Sequence, residues 1–466
     1  MSRPAVDAGG AGNATRLSDQ VMLDRLQQSA FGYFLKASNP RNGLIADTSR
    51  EGSPSSIAVI GFALSTYPVA VERGWIERAD AVQRTLDALR FFWNSDQSGS
   101  VDATGYRGCY FHFLDMATGA RKWRSELSLI DTALLMAGML TAAAYFTAGT
   151  KAEVELRELA DALYRRVDWR WAQRDGSAVA HGWKPECGFL SYGWEGYSEA
   201  LLLYVLGLGS PTHPLTAESF QAWTLTYQWE NVYGHDHLYA GPLFIHQFSH
   251  AWIDFRGIRD RFMREKDCDY FENSRRATYV QREYAIRNPH SFVGYAADCW
   301  GLSAGDGPSV EPRRVAGRLQ TFYGYAARGA PYGPDDGTLC GASMVASVVF
   351  APEIALPAVQ KLYARATRGE GESVRASGFN ATVTDAAPDG RTAEGESGPE
   401  GWLSEGEFGL DQGMIVLMIE NFRSGLLWRL SRSCPYIQAG LRRAGFRGGW
   451  LQSQRTADSH AIQPGI

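Results

Sequence analysis

Apolar positions along the chain fall into long helical runs, separated by connectors rich in Gly, Pro and aromatic residues. The runs at 57–71, 128–146, 197–208, 341–350 and 411–427 are apolar nearly all round, the pattern of helices buried on every side. Amphipathic runs at 78–94, 152–167 and 352–367 are interspersed with them. Helical spacing also predicts helices over 18–37, 216–229, 248–265, 269–285, 311–327 and 431–443. Buried helices alternating with half-exposed ones predict an all-α fold. Its expected form is an (α/α)6 toroid, a double ring of inner and outer helices with minor β-hairpin excursions. There is no βαβ alternation and no regular repeat, which excludes a parallel sheet and a solenoid. Residues 1–16 read as a disordered tail and 17–449 as one barrel domain. Within it, 369–401 forms a long loop or hairpin excursion, and 450–466 a weakly ordered C-terminal tail.

Composition narrows the partners. With 45% hydrophobic and 21% charged residues the chain is an ordinary globular one, and its net charge of −5 offers no basic field for nucleic acid or an anionic membrane. No apolar run reaches the length of a membrane span. The N-terminus has no signal-peptide pattern, so the expected compartment is cytoplasmic, or periplasmic if a leader was trimmed. Cysteines 109, 187, 268, 299, 340 and 434 lie far apart without CxxC spacing, indicating neither a zinc site nor a disulfide framework. No cofactor is expected, since Gly207-Leu-Gly-Ser-Pro211 ends a helix instead of opening one. His235-Asp-His237 lacks a matching third ligand, so no metal is expected either. Aromatics make up 12% of the chain, and many lie in connectors, where flat rings either pack between helices or stack on carbohydrate.

In a double ring the inner helices run the same way, so their first turns meet at one mouth. Glu199 opens the run 197–208, just after Glu195 and among Tyr192, Trp194 and Tyr197. It reads either as a helix-dipole partner or as a general acid raised by burial. Asp131 sits in the first turn of another inner helix, where Ser128 and Asp131 also have capping-box spacing; Glu126 is its rival. Two carboxyls converging on an aromatic mouth are what glycoside hydrolysis requires, one as proton donor and one as base or nucleophile. Tyr110, Trp183, Tyr192, Trp194 and Trp300 are the rings expected to line that mouth. Asp254 and Arg256, two residues apart, are either sugar-hydroxyl binders or separately paired surface charges. Asp335, in a Pro/Gly loop, either reaches substrate or shapes a turn.

Several stretches together carry a resemblance. They are Tyr110-Phe-His-Phe-Leu-Asp115, Glu126-Leu-Ser-Leu-Ile-Asp-Thr-Ala-Leu-Leu135, Gly193-Trp-Glu-Gly-Tyr-Ser-Glu-Ala200, Trp252-Ile-Asp-Phe-Arg-Gly-Ile258, Trp300-Gly-Leu-Ser-Ala-Gly-Asp306 and Gly409-Leu-Asp-Gln-Gly413. In this order they resemble the glycoamylase-like (α/α)6 glycoside hydrolases, among them bacterial endo-β-1,2-glucanases (glycoside hydrolase family 144) and the cyclising domain of cyclic β-1,2-glucan synthases. The resemblance implies a β-glucan oligo- or polysaccharide as partner, and the leading expectation is hydrolysis of β-1,2-glucan with inversion. Glu199 and Asp131 match positions where the family carries catalytic acids. His112, Tyr197 and Asp411 lie inside the matching stretches and join the candidate substrate contacts. Some relatives have a carboxylate three residues before Asp131, where this chain has Ser128, leaving the base open. A retaining transglycosylase would bring its carboxyls to about 5–5.5 Å, against roughly 6.5–9.5 Å for inversion. A glucan-binding protein without catalysis is the third reading.

Overall fold

The computed structural model describes residues 17–453, apart from 175, 177, 309, 311, 316–317, 367–377, 382–394 and 399–400. The expected tail 1–16, most of the 369–401 excursion and residues 454–466 lie outside the described residues. Eight of the expected helices form within four residues of their predicted bounds: Asp19–Lys36, Ile57–Glu72, Arg78–Asn94, Leu129–Tyr145, Lys151–Arg166, Tyr270–Arg287, Pro352–Ala366 and Gly409–Arg423. Local chemistry explains several starts. Ser18, Ser128, Thr150 and Asp269 each cap a helix by accepting a hydrogen bond from the backbone N–H three residues on.

The helices that are apolar all round sit innermost. Ile57–Glu72 packs against Leu129–Tyr145 on one side and Gly409–Arg423 on the other. Leu129–Tyr145 packs on Leu201–Gly209, and Gly409–Arg423 on Gly341–Ala346. Outside them, Asp19–Lys36 lies on Gly409–Arg423, Arg78–Asn94 on Lys151–Arg166, and Pro435–Arg443 on Leu201–Gly209. Two glycines set the tightest inner crossing: a Cβ on Gly138 would lie 2.1 Å from the Gly61 carbonyl oxygen. Segments near the two ends of the chain are tied together by charge. Arg73 reaches both oxygens of buried Glu420 at 2.9 Å, and Gln27 donates to the same carboxylate at 3.0 Å.

Elsewhere the chain departs from its helical spacing. The run 311–327 is not a helix: Pro312–Val315 pairs antiparallel with Arg318–Thr321, and Ala326–Ala327 pairs with Ala304–Gly305. Two short runs separated by Ala316-Gly317 have the spacing of a two-residue hairpin, which outweighed apolar periodicity here. The run 248–265 is also broken. A short 3-10 turn, Phe248–Ala251, gives way to extended chain where Asp254 accepts the Arg256 N–H and Gly257 takes φ 73°; the helix resumes at Arg261–Glu265. Helix 216–229 stops at Thr224, because Trp229–Val232 forms a hairpin with His235–Leu238 through Tyr233 and Gly234, both at positive φ. Pro435 divides the last run into Leu426–Ser433 and Pro435–Arg443. The expected weak tail begins instead with a further turn, Gly449–Ser453, whose Trp450 indole donates to the Asp254 carbonyl.

Sheets are small. The largest among the described residues is antiparallel and ordered Gly105–Tyr106, Cys109–Phe111, Leu127–Ser128, Gly182–Lys184, Gly188–Phe189. It lies over the start of Leu129–Tyr145 and holds His112, between strands, beside Asp131. Within the excursion, Phe379–Asn380 and Gly395–Gly398 both pair with Gly401–Ser404. All six cysteines are free, and no helix among the described residues is long and apolar enough to cross a membrane.

Candidate active site

The ends of the inner helices leave a cavity of about 690 Å³, deep enough for a few sugar rings. Glu199, Asp131 and His112 line it together with Asp47, Arg50, Phe113, Trp123, Phe248, Tyr325 and Phe408. Of the expected residues, Glu199, Asp131 and His112 share this one surface. Glu199 is not in a first helical turn, however. Its helix starts at Leu201, and Glu199 precedes it in a turn whose carbonyl accepts from Ser249 Oγ at 3.2 Å.

His112 organises the floor. Its Nδ1 faces Glu126 Oε1 at 3.1 Å and its Nε2 faces Asp131 Oδ2 at 3.5 Å. Burial alone would lower its pKa, yet Asp131, Glu126 and Asp47 together raise it to about 9, so the ring is an imidazolium at neutral pH. The hydrogen bond to His112 in turn holds Glu126 below its usual range. Asp131 carries a second load, because Ser128 Oγ donates to Oδ2 at 2.5 Å while accepting the Asp131 N–H at 3.2 Å. Ser128 therefore caps this helix, and its hydroxyl also holds a carboxylate that lines the cavity. Donor atoms of His112, Glu126 and Asp131 lie within 4.8 Å of one another, a spacing a cation could use. A metal would take one nitrogen of His112, whereas here each nitrogen serves a different carboxylate, which favours an ion-pair chain over a ligand set.

Two further carboxyls behave differently. Desolvation pushes Glu199 up to about 7, with the charge of Asp131 adding to it. Desolvation also raises Asp47 to about 6, opposed by His112 and reinforced by Asp131. Asp47 was missed in the sequence because it precedes an inner helix by ten residues instead of sitting in its first turn. The available signal was the polar turn Asp47-Thr-Ser-Arg50 directly upstream of an all-apolar run.

The other expected contacts lie away from the cavity lining. Tyr110 is fully buried and receives the Arg166 guanidinium on its hydroxyl, since its strand turns it toward Phe92 in the core. Trp183 stacks on Tyr106 at 5.2 Å, and Trp194 packs on His181 at 4.2 Å. Tyr192 is 77% exposed on the outer surface. Tyr197 packs among Tyr227, Tyr270 and His246 beneath the site, and Trp300 is wholly buried. Asp254 is buried and gripped by Arg256 at 2.8 Å and by Arg432, so this pair is structural. Asp335 accepts from Tyr284 and Tyr295 and shapes its loop. Asp411 adjoins the site, lining a small side pocket with Phe244 and Tyr325. The rings that do reach the cavity come from elsewhere. Trp123, 65% exposed, packs against Phe113 at 5.1 Å, and Tyr325, 57% exposed, stacks on Phe408 at 5.4 Å.

Comparison with known proteins agrees with this geometry. The family model for glycoamylases, described as "Putative glucoamylase", matches residues 191–435, just over half of the chain. A solved structure with the same description, from Bacteroides uniformis, is 28% identical with a TM-score of 0.81, covering 94% of this chain and 100% of that one. An endo-β-1,2-glucanase from Chitinophaga pinensis, solved with sophorotriose and glucose, is 27% identical with a TM-score of 0.78, covering 93% of this chain and 100% of its own. An exo β-1,2-glucooligosaccharide sophorohydrolase (non-reducing end) from Parabacteroides distasonis is 26% identical over 468 residues. That alignment takes in 92% of this chain but only 58% of the sophorohydrolase, so the chain spans little more than half of its length.

Proposed function

The chain belongs to the glycoamylase family, and from that premise we propose that it hydrolyses β-1,2-linked glucan, with inversion, on an (α/α)6 toroid. The observation that carries the reading is a pair of carboxyls with raised pKa values, Glu199 and Asp47, on one aromatic-rimmed cavity. Supporting the linkage are the glucanase and the sophorohydrolase named above, which act on β-1,2-linked glucose. Supporting the toroid is the succession of inner helix contacts and the alternation of buried with half-exposed helices. In this reading residues 17–449 work as one catalytic domain.

Glu199 is the proton donor. A pKa near 7 keeps it protonated in much of the enzyme at neutral pH, ready to protonate the leaving glycosidic oxygen. A second carboxylate of the cavity, Asp131 or Asp47, activates the water. Incubating the protein with linear and cyclic glucans of different linkages, and reading product size and anomeric form, tests this. β-1,2-Glucan should be cleaved and the first-formed product should be the α-anomer. A β-anomer would mark the retaining transglycosylase instead.

Two expected outcomes follow. Glu199 must hold its proton, so kcat/KM should fall as pH rises through about 7; a flat profile from pH 6 to 9 would exclude Glu199 as donor. Replacing the exposed ring in Trp123→Ala should raise KM several-fold, as loss of a stacking face does, while Tm stays within about a degree. Unchanged KM would remove Trp123 from the substrate path.

A further inference from the structure

We propose that Asp47 is the base that activates the attacking water, and that Asp131 holds the site in position instead. This rests on the hydrolase reading above and assigns the role that reading leaves between two carboxylates.

Asp131 Oδ2 is shared between the Ser128 hydroxyl and the His112 imidazolium, which itself is anchored by Glu126. A carboxylate oxygen already committed to two donors is poorly placed to receive a proton from water as well. Asp47 is the opposite case. Its backbone is pinned on both sides: its N–H donates to Pro54 O at 2.7 Å and its carbonyl accepts from Gly409 N at 2.8 Å. The preceding carbonyl, Ala46 O, receives the Tyr33 hydroxyl at 2.6 Å. Yet among the described residues its carboxyl takes part in no hydrogen bond or ion pair, and it lines the cavity that Glu199 lines. A rigid main chain aims a side chain whose lone pairs are all unused. Within the fold, that is a costly arrangement for anything but a ligand or a water.

Charge completes the picture. Asp131 raises the pKa of both Glu199 and Asp47, which places it electrostatically between them. Desolvation raises both carboxyls, and at Asp47 the charge of His112 opposes that rise, which favours its ionised form. In the step, Asp47 takes one proton from water as the water oxygen bonds the anomeric carbon. The bond from that carbon to the glycosidic oxygen breaks, its electron pair stays on the leaving oxygen, and Glu199 supplies the proton there. Asp47 ends protonated and Glu199 ionised, and solvent exchange restores both.

The test uses the full chain with a β-1,2-glucooligosaccharide, with and without sodium azide. Asp47→Ala should lower kcat by about a hundredfold or more with KM within a few-fold, the usual scale for a lost general base. Azide, small enough to occupy the vacated space and needing no deprotonation, should restore turnover and give the α-glycosyl azide. Asp47→Asn keeps the shape, and should be equally slow but unrescued. Asp131→Asn should gain nothing from azide. An Asp47→Ala protein within tenfold of wild-type kcat, a loss confined to KM, or azide rescue at Asp131→Ala would each overturn the assignment. If Asp47→Ala fails to fold, Asp47→Asn with wild-type kcat overturns it equally. Wild-type protein that leaves β-1,2-glucan intact would remove the hydrolase reading itself, so the two failures are told apart.

Discussion

Glu199→Gln is expected to lose activity and gain stability at once. The amide keeps the shape of the acid but has no proton to transfer, so turnover of unactivated glucan should drop by roughly a hundredfold or more. Stability moves the other way because the folded-state pKa is raised, from 4.5 to about 7. A group of that kind destabilises the fold where it must ionise in place, with the full penalty above pH 7 and none below about pH 4.5. A shift of this size corresponds to about 3 kcal/mol, less whatever water in the half-open cavity recovers, leaving about 2 kcal/mol. The variant should therefore melt a few degrees higher than wild type at pH 8 and together with it at pH 4.5. Equal melting at both pH values would show that the carboxylate is well solvated and not poised as an acid. Retained turnover would move the proton donor elsewhere, with Glu126 and Glu195 next to examine.

Gly138→Ala should be a severely damaging single methyl. Its Cβ would lie 2.1 Å from the Gly61 carbonyl oxygen and 2.7 Å from the Gly61 Cα, both backbone atoms of a helix buried on nearly every side. No rotamer can relieve that contact, so the two inner helices must separate by more than an ångström. Overpacking ordinarily costs about 1–3 kcal/mol, and rigid backbone on both sides puts this case at roughly 3 kcal/mol or beyond. Thermal unfolding and soluble yield provide the measurement. Gly149→Ala is the control: nothing lies within 4 Å of its added Cβ, and its melting point should stay close to wild type. A Gly138→Ala loss below about 1 kcal/mol would mean the crossing is looser than described.

Much of the helical skeleton was legible because long apolar runs leave little ambiguity. Ile57–Glu72 and Leu129–Tyr145 are buried almost throughout, and no other element accommodates such runs. The segment 311–327 was misread for the converse reason. Its apolar residues are sparse, so helical periodicity is weak there, and Pro312–Val315 pairs with Arg318–Thr321 instead. The site divides similarly. Glu199 and Asp131 could be found, since a polar residue at the head of an apolar helix stands out. Tyr110, Trp183 and Trp300 resembled sugar platforms only by composition, and whether a ring in a connector faces sugar or core depends on strand register. Asp47, Trp123 and Tyr325 gave almost no local signal. They matter through the convergence of segments nearly 300 residues apart, which is a property of the closed fold.

The contact between Asp19–Lys36 and Gly409–Arg423 has a consequence for how the protein is made. Gln27 and Glu420 are 393 residues apart, so Asp19–Lys36 leaves the ribosome long before its partner helix is made. At about 5–20 residues per second, that is an interval of roughly 20–80 seconds. Until then Ile57–Glu72, apolar on nearly every face, lacks the neighbour that covers one of its sides. A nascent chain of this kind is a natural client for holding chaperones, and shortening it from the C-terminal end into Gly409–Arg423 should yield insoluble protein instead of a smaller folded one.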